Sequence, residues 1–287
     1  MMPTELAVLS SRANSRTRLR SLVVPREHGA WGMLLVPLAT GAAVGLLTGG
    51  RVFYLPLLIV ATVVIFWLRT PVESWLGTSP LRAQSAEERN AVAKVILLLT
   101  AVAGMALAGL FWGGQNTELL LLGVIAGMAF AAQAVLKKRR ETRMLAQFVG
   151  ALGLTLTAPA AFCVVVGRIS ELALLIWLCN WLFALNQIQF VQLRIHSTRV
   201  GGLIHKVVNG RGFLVIQSGV AVMLLLAWRA GILPGLVLLA FAPALLRSIA
   251  WLFAPQRPLM VRRLGWTELA HDVTFGILLV AGFCLRT

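Results

Sequence analysis

Leu119-Leu120-Leu121-Leu122-Gly123-Val124-Ile125-Ala126-Gly127-Met128-Ala129-Phe130-Ala131-Ala132-Gln133-Ala134-Val135-Leu136 is followed without a break by Lys137-Lys138-Arg139-Arg140, and a second apolar run, Met144 to Val166, begins three residues later. Eighteen residues free of charge are long enough for a helix to cross the hydrocarbon core of a bilayer, for which about 20 are needed. Four cations packed against the end of such a run read as the anchor that fixes its orientation. The pattern recurs outward along the chain. Apolar runs fall near Ala30 to Gly49, Val52 to Leu68, Ala91 to Trp112, Leu119 to Leu136, Met144 to Val166, Leu172 to Leu193, Phe213 to Trp228, Ile232 to Phe253 and Leu269 to Leu285. The expected fold is therefore all-α, a polytopic membrane bundle of nine transmembrane helices.

Composition agrees. Of 287 residues, 59% are hydrophobic and 13% charged, and mean hydropathy is +0.85, which excludes a soluble globular fold, where charged residues make up about 25%. A net charge of +16 would suggest nucleic acid in a soluble protein, but the cations are clustered between apolar runs, so no nucleic-acid partner is expected. Alternate loops hold 22 and 4 of the Lys and Arg residues. The positive-inside rule then predicts an inner (plasma) membrane protein, multi-pass, with its N-terminus cytoplasmic and its C-terminus outside. Residues 69–90 and 194–212 read as the long cytoplasmic loops. Residues 1–25 carry Arg12, Arg16, Arg18 and Arg20 and lack an apolar stretch of their own; they read as a disordered basic cytoplasmic tail and not as a cleaved leader. Residues 26–287 read as a single transmembrane domain. Cys163, Cys179 and Cys284 are isolated and show neither disulfide nor zinc spacing.

Polar groups at bilayer depth are costly, so the places where a span carries more polarity than anchoring requires are candidate sites. Three stretches qualify. Pro25-Arg26-Glu27-His28-Gly29-Ala30-Trp31 opens the first span, where snorkelling and an interfacial tryptophan account for Arg26 and Trp31 but not for Glu27 beside His28. In the sixth span Asn186, Gln189, Leu193 and His196 follow the i, i+3, i+7, i+10 spacing of one helix face, which suits a polar site or interhelical hydrogen bonding. At the entrance to the ninth, Glu268, His271 and Asp272 fall at i, i+3 and i+4, either as part of a site or as favourable charge at a helix N-terminus. Adding Arg69, Arg82, Arg194 and Arg199 on the same side gives a set of guanidiniums able to hold phosphate or carboxylate without a metal. The candidate ligand-binding residues are thus Arg26, Glu27, His28, Trp31, Arg69, Arg82, Asn186, Gln189, Arg194, Glu268, His271 and Asp272, with no metal ligand and no cofactor expected. We expect Arg26, Glu27 and His28 to lie near Asn186, Gln189 and Arg194, and near Glu268, His271 and Asp272; Arg26 or His28 pairing with Glu268 or Asp272 would bring the first and last spans together.

The opening Pro25-Arg26-Glu27-His28-Gly29-Ala30-Trp31 resembles the YwiC-like membrane proteins, over residues 25–287 in outline, a resemblance that brings no activity with it. The nine-span layout, with long cytoplasmic loops after spans two and six, is also similar to the UbiA-type prenyltransferases. That second resemblance implies a Mg²⁺-diphosphate held by two aspartate-rich motifs. The residues do not carry it: the first position reads Leu68-Arg69-Thr70-Pro71-Val72-Glu73-Ser74-Trp75, the second Asn186, Phe190 and Arg194, and Asp272 is the chain's only aspartate. A hard cation needs clustered carboxylates. The leading expectation is a membrane protein whose partners are the lipid bilayer and an anionic lipid or isoprenoid ligand in a cytoplasm-facing cavity. The alternatives are a metal-independent UbiA-like prenyl or lipid transferase, with Glu27, His28 or His271 as acid or base, and a small-solute or haem transporter using His28, His196, His205 and His271.

Overall fold

The computed structural model describes residues 17–25, 28–79, 81–113, 117–196, 203–254 and 260–285. The structure is 85% helical, with no strand among the described residues. Among the described residues ten helices of ten residues or more follow in order: α1 (His28–Leu47), α2 (Leu55–Trp75), α3 (Ala86–Trp112), α4 (Thr117–Leu136), α5 (Arg143–Thr155), α6 (Thr157–Val166), α7 (Glu171–His196), α8 (Leu203–Arg229), α9 (Gly235–Phe253) and α10 (Val261–Cys284). They supply nine segments long and apolar enough to cross a membrane, α5 and α6 together forming one, Arg143–Val166. The chain is an all-α polytopic membrane protein, as its apolar runs predict.

Several helices outrun their apolar runs. α2 continues through Pro71 to Trp75. α3 begins at Ala86 because Ser85 and Glu88 form a capping box, which satisfies two orphan amides at once. α8 starts at Leu203, ten residues before its apolar run, because Lys206 is buried there, donating from Nζ to the carbonyls of Trp251 (3.0 Å) and Leu252 (3.3 Å) and to that of Ala254. These are unpaired carbonyls at the end of α9, and a cation is well placed on them. The loops expected at 69–90 and 194–212 are shortened accordingly.

The chain divides into two compact units. In one, α2 and α3 pair as a hairpin, and the short helical stretch 17–23 docks on them. Leu22 is 1% exposed and clusters with Ala83 and Val92. Trp67 Nε1 donates to Val23 O (2.8 Å) and Ser74 Oγ to Leu22 O (3.0 Å), and Arg18 pairs with Glu88 at 2.6 Å. Residues 17–25 are therefore not the disordered tail that their basic character suggested: Leu22 gives the segment an apolar anchor, and carbonyls left open at its helix end are filled by side chains of α2.

The second unit holds α1 and α4 to α10. Its core is an aromatic cluster in which Phe183 of α7 stacks on Phe275 of α10 (3.9 Å between centroids) and Phe241 of α9 meets Phe275 edge-on at 5.2 Å. α1 approaches closely through glycines spaced by four, Gly41 on Ala158 and Gly45 on Val165, the small-residue packing that membrane helices use in place of a hydrophobic driving force. At the same contact the fifth span breaks, at Leu156 between α5 and α6. Pro159 offers no N–H to the carbonyl of Thr155, and hydroxyls supply extra bonds: Thr155 Oγ1 donates to Ala151 O (2.9 Å) and Thr157 Oγ1 to Leu34 O on α1 (3.0 Å).

Candidate functional site

In the second unit, α7, α9 and α10 bring charged side chains together within their spans. Arg247, on α9, donates from Nη1 to Glu268 Oε2 on α10 at 2.5 Å, with side-chain exposures of 11% and 8%. The guanidinium lies over the ring of Phe190 of α7, 4.0 Å from its centroid, a cation–π contact that gains strength when desolvated. Gln187, one turn before Phe190 on α7, donates from Nε2 to Glu268 O at 3.1 Å, and its carboxamide lies near Asp272. Asp272 lies one turn beyond Glu268 on the same face of α10 and feels Arg247 as well. Arg194, half-buried on α7, is close enough to attract Glu268. His271 is half-buried beside this group, near Arg247.

The position of Asp272 depends on α1. Gly32 packs against its carboxylate and against Leu269, and Gly276, one turn on from Asp272, packs against Val36 and Thr40. The first and last spans therefore meet, as expected, but glycines make the contact. Arg26 and Glu27 lie outside the described residues, as does Arg199, and for His28 and His196 only the backbone is described, so the pairing expected of Arg26 or His28 lies outside them too. Trp31 is half-buried in the first turn of α1.

Asn186 and Gln189 are buried. Asn186 Nδ2 donates to Gln217 Oε1 of α8 at 2.7 Å, the interhelical bond that a polar residue at depth needs. One turn below, Phe190, Leu193, Phe213 and Trp251 form a small apolar cluster. Arg69 and Arg82 belong to the other unit, where Arg69 Nε donates to Glu73 Oε1 one turn away (3.0 Å) and Arg82 is exposed.

Glu268 and Asp272 do not cap a helix. α10 begins at Val261 and has no acidic residue in its first turn, so Glu268 is the eighth residue of the helix and faces Arg247 instead. Sequence reasoning missed Arg247, Gln187 and Gln217. Arg247 was counted with the loop cations, although it sits inside an apolar run, Leu245-Leu246-Arg247-Ser248-Ile249, and that placement is itself the signal of a buried charge.

Hydrogen bonding in this centre is incomplete. Among the described residues the buried atoms Arg247 Nε and Nη2 and Glu268 Oε1 have no partner, nor have Asn186 Oδ1 and Gln189 Oε1 on α7. An end-on ion pair leaves donors of the guanidinium and the second oxygen of the carboxylate open, where a fork-on-fork pair would use them. Each such atom costs about 1–3 kcal/mol when unfilled. Among the described residues no three of His, Cys, Asp and Glu converge as metal ligands. The centre is thus equipped to hold a polar group through a guanidinium, a carboxylate and carboxamides.

No curated protein and no solved structure matches the chain. Residues 24–162 match the family described as YwiC-like protein, which covers α1 and most of the helices up to α6, whereas Arg247, Glu268 and Asp272 lie beyond the matched region. The match includes the motif from Pro25 to Trp31 in full and stops short of the outline to residue 287. By nine apolar spans among the described residues the chain is a multi-pass membrane protein, and over residues 24–162 it is similar to the YwiC-like family.

Proposed function

We propose that this protein sits in the plasma membrane with its N-terminus cytoplasmic and binds an amphipathic ligand with an anionic head at the cytoplasmic ends of α7, α9 and α10. Arg247 is the residue that takes the anion. One observation carries the reading: a guanidinium six residues from the end of α9, about 9 Å along the helix axis, has Nη1 engaged by Glu268 while Nε and Nη2 are open. Placing arginine at that depth is expensive, and leaving two of its donors unfilled adds to the cost. An anionic oxygen entering from the side of the basic loops fills both donors, with Phe190 closing the opposite face of the guanidinium. Arg194 and the candidate residues Gln189, His271 and Asp272 surround the head.

The test is mass spectrometry of lipids that co-purify in mild detergent, compared with an extract of the same membranes. Wild-type protein enriches an amphiphile with a phosphate or carboxylate head, and Arg247→Gln loses that enrichment while it still elutes as a monodisperse peak. Co-purifying lipid in the same proportions as the membrane extract refutes the reading.

A further inference from the structure

We infer that the ligand head carries a primary ammonium beside its anionic group, as a phosphoethanolamine head does. This rests on the anion-binding reading of Arg247 and narrows it. The first argument is charge. Arg247 of α9 is already paired with Glu268 of α10, so among the described residues its charge is already met by a carboxylate. A simple anion at Arg247 would leave a surplus negative charge in a medium where charges interact strongly. A head with one positive and one negative group leaves the balance unchanged.

The second argument is hydrogen-bonding capacity. The open donors are Nε and Nη2 of one side chain, Arg247, and beside them, across the same ion pair, is the open acceptor Glu268 Oε1. Asn186 Oδ1 and Gln189 Oε1, buried on the turns of α7 next to Phe190, are open acceptors as well. An anion supplies acceptors only and answers the arginine alone. A primary ammonium supplies three donors and answers the carboxylate and the carboxamides. A quaternary ammonium has no N–H to offer. Because the Phe190 ring covers one face of the guanidinium, the head meets Arg247 at its edge, where Glu268 also stands, so one head spans both groups.

The experiment uses the full-length protein in mild detergent, with native mass spectrometry reading saturable binding of three lysophospholipids of one acyl chain: ethanolamine, choline and glycerol heads. The ethanolamine probe binds roughly tenfold or more tightly than either of the others, the size of one charge-assisted hydrogen bond. Glu268→Gln abolishes that preference, so that the three probes bind alike. As a second variant, in case Glu268→Gln unfolds, Gln189→Leu weakens the ethanolamine probe more than the glycerol one. Saturable binding of all three probes without preference, or a preference for the glycerol head, overturns this inference alone. Absence of saturable binding of any probe overturns the anion reading beneath it.

Discussion

Gly41→Ala tests whether α1 packs on α6 as closely as the glycine spacing implies. A methyl on Gly41 would overlap the backbone carbonyl oxygen of Ala158 and stand 2.7 Å from its carbonyl carbon and 2.9 Å from its Cα, where non-bonded carbons rest at about 3.5–4.0 Å. Backbone cannot swing aside as a side chain can, so the helices must part by about 1 Å. Overpacking of this kind costs about 1–3 kcal/mol. Thr40, the next residue, accepts a buried bond from Asn180 Nδ2 of α7 at 3.1 Å, and a shift of that size breaks it, adding about 1 kcal/mol. Alanine returns up to about 1 kcal/mol of helix propensity. The net loss is about 1–3 kcal/mol, or about 2–12 °C in the unfolding midpoint for a unit of this size. Gly123→Ala on α4 is the control, because a methyl there meets nothing within 4 Å. Cys163 and Cys179 are buried, so a thiol-reactive fluorophore reports unfolding on heating in detergent. The reasoning is refuted if Gly41→Ala and Gly123→Ala unfold at the same temperature.

Three further outcomes are expected. Arg247→Met and Glu268→Leu singly cost about 3–5 kcal/mol by stranding a buried charge, and together recover most of the loss; a double variant no better than the worse single, in the same heating assay, removes the ion pair from the account. Asn186→Leu leaves Gln217 without its partner at depth and costs about 1–3 kcal/mol, so membrane yield falls; unchanged yield removes the Asn186–Gln217 bond from the stability account. A reporter fused after Arg286 is active only outside the cytoplasm, and a C-terminal fusion that is active inside overturns the proposed topology.

How legible was this molecule? The helices announced themselves because one physical quantity, the length of uncharged apolar chain, decides whether a segment spans, and Leu119 to Leu136 needs no partner to be recognised. Helix ends were less visible, because they follow hydrogen bonds made to other segments: α8 starts early on account of Lys206 reaching the end of α9, and no local pattern around Lys206 reveals that. The candidate site was half legible. Asn186, Gln189, Glu268 and Asp272 were found because polarity at depth is rare, yet which residues bond which depends on how α7, α8, α9 and α10 rotate about their axes. Gln187 was passed over because it lies one residue off the face drawn through Asn186 and Gln189, and it is Gln187 that reaches α10.

Arg247 shows how one residue can be misread by a rule that still gives the right total. Removing it from the loop count leaves 21 basic residues against 4, so the proposed orientation does not depend on it. An arginine that topology does not need has to be explained by what it contacts. Stability is a weak explanation, since a buried ion pair replaced by apolar side chains is often neutral or better, and an end-on pair with donor and acceptor both open is a poorer structural bond than the fork that arginine can form. What the open edge offers is a place where a polar head can be exchanged without first breaking Nη1 from Glu268 Oε2. If Arg247 were structural alone, Arg247→Met/Glu268→Leu would restore stability and lipid enrichment together. Under the ligand reading it restores stability and not enrichment, and that divergence in a single purified variant separates the two roles.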